Sequence, residues 1–515
     1  MDYLKGLAAP DRCERLGAGV ALSMGCGQIQ GAILAGALGL NRRTYSQTYG
    51  CQFTLSLSII NTFQRTVLIA HGPVGCGACS VANAGSIKKF KNLRQATNEG
   101  LIWVSTNLGE SEVINGGENK LRQTILEVDK LFRPEIIIIP VGCVPAIIGD
   151  DVESLVAALA NQVSAKLVPV HSAGFKSKVM ATAYDDVYHG VLKNLTGKLP
   201  LEASEQLLDP IEEGRRRLAL SRTVNVLNVF SMSYDDEREL RRLLEALDLK
   251  ARFFPEFTDR GDFKTVLDGA LNVSLCGTHD DYYLEHVKSL YGQPFITDTL
   301  PVGPRNTARW LKLVAGFFGE TERAERLIAA EEAALNQVLG PFRQAFLGKK
   351  AFLSGGEVRV VATAELLNFL GLTVVGFKGH HLDRFILPAW EQLEVPPQTV
   401  FHVATQQPSE QISLINRLKP DLFVGHAGGN NITARQGLPI LPLFSNAYGY
   451  MGYSGIFEVA RRLRRILQNG AFNRNLAKHR PLPYRKAFYD CEADAYLEGP
   501  RPLSEGQLTA QNLGQ

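Results

Sequence analysis

Eight cysteines stand at positions 13, 26, 51, 76, 79, 143, 276 and 491 of this 515-residue chain. Thiolates are the ligands of iron–sulfur clusters and of structural zinc. Cys51, Cys76 and Cys143 lie too far apart in sequence for a ferredoxin-type run. Three such thiolates converging in space can still hold part of a cluster whose remaining ligands come from elsewhere. The alternative is three buried structural cysteines, because cysteine is among the most buried residue types. Cys76-Gly77-Ala78-Cys79 has CxxC spacing, but a structural zinc site needs a second pair, and the sequence offers none. Four histidines have the other reactive side chain: His279, three residues past Cys276, the pair His380-His381, and His426. Imidazole moves protons near neutral pH and binds metals.

These residues need elements to place them. Short β-branched runs end in Gly, Pro or Asn and are followed by helical stretches, giving an alternating β/α pattern throughout. The predicted strands include Thr66–His71, Leu101–Thr106, Glu135–Pro140, Lys166–Val170, Val224–Leu227 and Leu271–Cys276. A later set comprises Lys350–Leu353, Glu357–Thr363, Leu372–Phe377, Thr399–Ala404, Asp421–His426 and Leu438–Leu443. The run Ile136–Ile139 reads as a strand buried on both faces, the mark of a parallel sheet. The expected fold class is α/β with three Rossmann-like domains and parallel sheets. The expected boundaries are residues 1–220, 221–345 and 346–515, the last with a polar, Pro-rich tail that wraps a surface or a partner. Cys76, Cys143 and Cys276 each fall at the carboxyl end of a predicted strand, where open α/β sheets gather their ligands.

Composition narrows the class. Hydrophobic residues make up 45 % and charged residues 21 %, with a net charge of +3. That balance gives no support for nucleic acid or an anionic membrane as partner. No apolar run reaches the ~20 residues of a spanning helix. The start, with Asp2, Lys5 and Asp11, lacks the core of a signal peptide. The expected compartment is the cytoplasm, where cysteines stay reduced.

The segments around the cysteines carry a resemblance. His71-Gly72-Pro73-Val74-Gly75-Cys76-Gly77 resembles the HGPVGCG segment of nitrogenase component 1 α subunits. Thr106–Glu110 followed by Ile114–Leu121 is similar to that family's FGGxxKL stretch, and Cys143–Asp151 to its C-x4-IGDD motif. Asn272–Pro294 resembles the segment that places the cofactor cysteine, here Cys276. Gly355-Gly356 and Leu370–Gly376 resemble its third-domain pattern. The resemblance runs from about residue 48 to 465. It implies that Cys51, Cys76 and Cys143 are metal ligands holding this chain's half of a P-cluster (8Fe-7S) shared with a β-like subunit in an α2β2 assembly. It implies that Cys276 binds one end of a larger iron–sulfur cofactor, and that an ATP-dependent 4Fe-4S reductase protein delivers electrons. The absence of a P-loop here agrees with nucleotide chemistry in another chain.

Three departures separate the chain from a nitrogen fixer. Gly174–Asp186 lacks the family's paired histidines. Ala82-Asn83-Ala84-Gly85 replaces an arginine pair. Gly437–Phe444 lacks the second cofactor anchor, and Phe444 falls near its place. Substitute ligands opposite Cys276 are His426, His380 or His381; the alternative is that they are polar or hydrogen-bonded lining. The loss suggests an all-iron 8Fe-9S-C type cofactor. His279 is a candidate proton donor or hydrogen-bond partner to sulfide; the alternative is a helix-start residue beside Asp280 and Asp281. With His380 and His381 it completes the candidate catalytic set. Phe444, Tyr448 and Tyr450 are candidate apolar walls, or ordinary core. The reading is an enzyme, the catalytic α-like subunit of a nitrogenase-like reductase of the methylthio-alkane reductase type, taking a small thioether. The alternatives are a cofactor-maturation scaffold or a divergent nitrogenase.

Overall fold

A computed structural model describes residues 3–40, 42–47, 51–78, 102–196, 220–228, 232–298, 300–405, 407–426, 431–482, 484–489 and 491–498. The chain divides into two compact units. The first comprises residues 1–15, 50–338 and 445–459, and the second 16–49, 339–444 and 460–515. Two short N-terminal strands, β1 (Ala21–Gly25) and β2 (Arg42–Arg43), belong to the second unit.

The first unit contains two four-stranded parallel sheets. One has the order β4-β3-β5-β6, from β3 (Thr66–Ala70), β4 (Ile102–Ser105), β5 (Ile136–Val141) and β6 (Lys166–His171). All six residues of β5 are buried. Successive side chains point to opposite faces of a strand. Ile136 and Ile138 therefore enter one core and Ile137 and Ile139 the other. Each such burial contributes about 1.5–3 kcal/mol. The other sheet has the order β10-β9-β7-β8, from β7 (Thr223–Leu227), β8 (Lys250–Phe254), β9 (Leu271–Ser274) and β10 (Phe295–Ile296). Helices Thr182–Asn194 and Gly277–Tyr291 pack on each other. Their Tyr184, Tyr188 and Tyr283 join Phe63, Phe254 and Phe263 in one aromatic core serving both sheets.

The second unit is built on a six-stranded sheet, β1-β13-β12-β11-β14-β15. Its later strands are β11 (Lys350–Gly355), β12 (Thr373–Gly379), β13 (Val400–Ala404), β14 (Leu422–His426) and β15 (Ile440–Phe444). All pairs are parallel except β1 with β13, which is antiparallel. Residues Glu357–Thr363, expected in the sheet, form a helix, Glu357–Phe369. The run Val358-Arg359-Val360-Val361 has strand composition, but this helix is buried over its first eleven residues, so its sequence shows no exposed face. The tail returns along the same unit: Asn416 Nδ2 donates to Tyr489 O at 2.9 Å, and β16 (Leu497–Glu498) pairs with β2. Among the described residues no helix is long and apolar enough to cross a membrane.

Candidate functional site

β3 runs into His71-Gly72-Pro73 and the short helix Val74–Ala78, which carries Cys76. On the neighbouring strand, β5 runs through Gly142 into helix Cys143–Ile148. Cys51 caps the start of helix Gln52–Ile60, which packs against Cys76's helix. The loop after β6 meets two of these thiols. Gly174 N–H donates to Cys143 Sγ at 3.2 Å. A Cβ on Gly174 would lie 3.0 Å from Cys51 Sγ and 3.4 Å from Cys143 Sγ. The sulfurs of Cys51 and Cys143 thus share one small space, and Cys76 sits at the adjoining strand end. All three are half-buried and free of disulfides. Each stands in the first turn of a helix or just before it. Cysteine sulfurs that meet beside a loop residue with no side chain are a donor set that fits an iron–sulfur cluster.

The motif residues form the frame beneath. His71 lies between Thr106 Oγ1, 3.1 Å from Nδ1, and Asp150 Oδ2, 3.0 Å from Nε2. Burial lowers its pKa against the opposing pull of Asp150. Neutral His71 then donates from Nε2 to Asp150 and accepts the Thr106 hydroxyl at Nδ1. Thr106 Oγ1 also accepts Gly72 N–H at 3.0 Å, and Asp150 Oδ1 accepts Gly117 N–H at 2.8 Å. Gly149 ends its helix at φ 81, a conformation that favours glycine, and Asp151 caps the next helix through Ser154 N–H. Beside Cys51, Gln52 Nε2 donates to Ala173 O and Asp186 Oδ2, each at 3.0 Å, tying the cysteine's helix to the Gly174 loop. Lys176 binds the same Asp186 at 2.6 Å. Spacing alone did not point to these roles; the signal was that His71, Thr106, Gly117 and Asp150 all sit inside the quoted motifs.

Cys276 stands on the other sheet of this unit as N-cap of helix Gly277–Tyr291, 4 % exposed. Its N–H donates to Ser274 Oγ at 3.0 Å. Ser274 Oγ donates to Asp280 at 2.6 Å, and Tyr188 OH donates to the same carboxylate at 2.9 Å. Burial pushes Asp280 up to about 8. His279 N–H donates to Cys276 O at 2.8 Å, and its ring stacks on Tyr184 with centroids 4.1 Å apart. Tyr184 OH in turn donates to Glu256 at 2.9 Å.

In the second unit His426 ends β14. Its Nδ1–H donates to Phe444 O at 2.9 Å. Burial, and then Arg359, push its pKa down to about 4, so the ring is neutral with Nε2 as its remaining donor to a metal. His380 stacks on it at 5.4 Å, its own pKa pushed well down by burial. His381 turns elsewhere, buried, with Nε2 3.3 Å from Glu357 and 3.6 Å from Asp383. Burial alone would lower its pKa; the two carboxylates outweigh that and raise it to about 9. The adjacent histidines therefore occupy different surroundings.

Phe444 is buried with its ring 5.6 Å from His426, and Tyr450 is fully buried, so both are core; Tyr448 is exposed. Cys26 is buried in the second unit, where burial pushes its thiol up to about 12. Cys491 is half-buried. Cys79, residues 82–85 and the Cys13 side chain lie outside the described residues.

Known proteins resemble this chain in sequence and fold. The family model described as nitrogenase component 1 type oxidoreductase matches residues 51–468. The nitrogenase iron-molybdenum cofactor biosynthesis protein NifE of Rippkaea orientalis is 25 % identical over 426 residues, covering 80 % of this chain and 84 % of its own. The nitrogenase molybdenum-iron protein alpha chain of Methanosarcina barkeri is 24 % identical over 346 residues, 65 % of this chain and 61 % of its own. The solved structure titled "Nitrogenase Cp1 at pH 5" superposes with a TM-score of 0.69 at 20 % identity, covering 87 % of this chain and 94 % of that one. That last likeness bears on fold alone. With the matched model spanning most of its length, the chain belongs to the nitrogenase component 1 type oxidoreductase family.

Proposed function

We propose that this chain is the α-like, cluster-bearing subunit of a nitrogenase-like reductase that cleaves a carbon–sulfur bond of small methylated sulfides. In this reading Cys51, Cys76 and Cys143 hold its share of a P-cluster completed by a β-like subunit, and Cys276 holds a separate, larger iron–sulfur cofactor. The cofactors supply low-potential electrons, received from an ATP-dependent reductase protein. The overall change is R–S–CH3 + 2 e⁻ + 2 H⁺ → R–H + CH3SH. The chain's own residues set the surroundings. Gly174 leaves room beside two thiolates and donates an N–H to one of them. Ser274 and Asp280 fix the backbone of Cys276. His279, one turn on, is the candidate proton carrier, with His380 as a further candidate in the second unit; His381, the third candidate, lies between Glu357 and Asp383. His426, neutral and oriented by Phe444, has the nitrogen a metal would take.

The observation that carries the cluster-bearing part of the reading is the convergence of two sulfurs on Gly174 with a third cysteine at the adjoining strand end; the methylated-sulfide substrate is inferred from the three departures from the nitrogen-fixing pattern. A second reading, a scaffold on which a cofactor precursor is completed, draws on the relatives whose names are cofactor biosynthesis proteins. Anaerobically purified complex, given its reductase, ATP and dimethyl sulfide, should release methanethiol, and Cys276→Ala should lose the larger cofactor and turnover while keeping the shared cluster. A complex that releases no methanethiol but hands its cluster to an apo-enzyme is the scaffold.

A further inference from the structure

The loops after β11 and β12 bring three side chains to one point inside the second unit. Glu357 opens the helix that follows β11, and His381 and Asp383 lie just past the end of β12. β11 and β12 are adjacent and parallel, so these residues occupy carboxyl ends of neighbouring strands, where α/β sheets bind ligands. All three are buried: Glu357 is 1 % exposed, His381 6 % and Asp383 0 %. One ligating atom from each, a carboxylate oxygen, an imidazole nitrogen and a second carboxylate oxygen, lies within 4.8 Å of the others.

The His381 nitrogen that points into this group makes no hydrogen bond. Its Nε2 stands 3.3 Å from Glu357 and 3.6 Å from Asp383. An imidazolium donating to a carboxylate closes to about 2.7–2.9 Å. Two ligands bonded at about 2.0–2.2 Å to one small cation, at angles between a right angle and tetrahedral, lie roughly 3.0–3.5 Å apart. The spacing is that of two ligands around an ion, one edge slightly long, rather than of a donor closed on an acceptor. Asp383 is held for the role, since its Oδ1 accepts Phe385 N–H at 2.9 Å while Oδ2 is the oxygen nearest His381.

We propose that Glu357, His381 and Asp383 form a divalent-cation site that ties the start of helix Glu357–Phe369 to the loop after β12. One nitrogen and two carboxylate oxygens suit Mn2+, Fe2+ or Zn2+. Its placement does not depend on the identity of the substrate reduced.

The probe is Mn2+, chosen because carboxylate oxygens suit it and thiolates do not. Full-length protein, stripped of loosely bound metal by a chelator, is titrated with Mn2+ while the free ion is followed by electron paramagnetic resonance. The expected result is about one bound ion per chain, with spin-echo modulation from one histidine nitrogen. His381→Phe and Asp383→Asn should each weaken binding by at least about 10-fold, since a lost ligand costs no less than a lost supporting group. Cys143→Ser should leave it unchanged. Absence of a bound ion in the unsubstituted protein, a bound ion without nitrogen coupling, or binding that survives both substitutions overturns the proposal. The first and second outcomes need no variant, so a misfolded substitution does not shield it.

Discussion

A single missing methyl controls how near two sulfurs come to the loop that follows β6. Gly174 has no φ value in the left-handed region, so the backbone tolerates alanine there. What it does not tolerate is the new carbon at 3.0 Å from Cys51 Sγ. Gly174→Ala should therefore keep its circular dichroism yet lose at least about half of the iron assigned to the shared cluster, because overpacking at one contact displaces ligands before it unfolds a domain. Unchanged iron content would mean that the cluster does not occupy that space. At this scale the cysteines were legible because their neighbours formed motifs. The separate surroundings of His380 and His381 were not, since Glu357, the partner of one of them, was read as part of a strand.

Between elements, one tie in the first unit is electrostatic. Arg12, fully buried, reaches Asp281 at 2.8 Å and also Asp185, while Arg15 reaches Asp185 at 2.6 Å. These pairs fasten helix Arg12–Leu16 to helices Thr182–Asn194 and Gly277–Tyr291. Removing one partner of a buried pair is costly, and because Arg15 still reaches both carboxylates, Arg12→Met should cost about 3 kcal/mol, the low end for a broken buried pair. The pH dependence has a definite sign. Burial raises Asp185 from its ordinary value to about 7 despite the two arginines. A carboxyl raised in the fold supports stability at low pH and loses that support as pH climbs through its folded pKa. Without Arg12 the deficit should be larger at pH 8 than at pH 5, read as the shift in melting temperature; a deficit independent of pH would remove Asp185 from the account. Parallel strands such as β5 were legible from their apolar runs. β1 was not, because Ala21–Gly25 lacks β-branched residues and becomes a strand only through its pairing with β13.

Across the whole chain, stretches adjacent in sequence can fall in different units. Residues up to 15 pack in the first and residues 16–49 in the second. The alternation of β and α revealed the three larger sheets, but this division follows from long-range partners: Asp185 and Asp281 for Arg12, Val403 and His402 for β1, and Glu410 for Arg43 at 2.8 Å. Deleting residues 1–47 should therefore damage both units together. It strips the arginines from one and bares the β13 edge of the other, and exposed edges pair with other chains. The truncated protein should aggregate and lose its near-ultraviolet dichroism; a soluble, cooperatively melting product would refute this.

The burial of Cys26 also gives a means of counting occupied sites by chemistry. With its thiol pushed up to about 12, roughly one molecule in ten thousand carries the reactive anion at pH 8. Iodoacetamide applied to native, iron-depleted protein should alkylate Cys51, Cys76 and Cys143 and pass over Cys26, as peptide mass spectrometry would record. Half-buried Cys491, outside the cluster motifs, supplies the internal standard. In iron-loaded material the first three should become shielded while Cys491 still reacts, so a ratio of tagged peptides reports how full a preparation is without any assay of turnover.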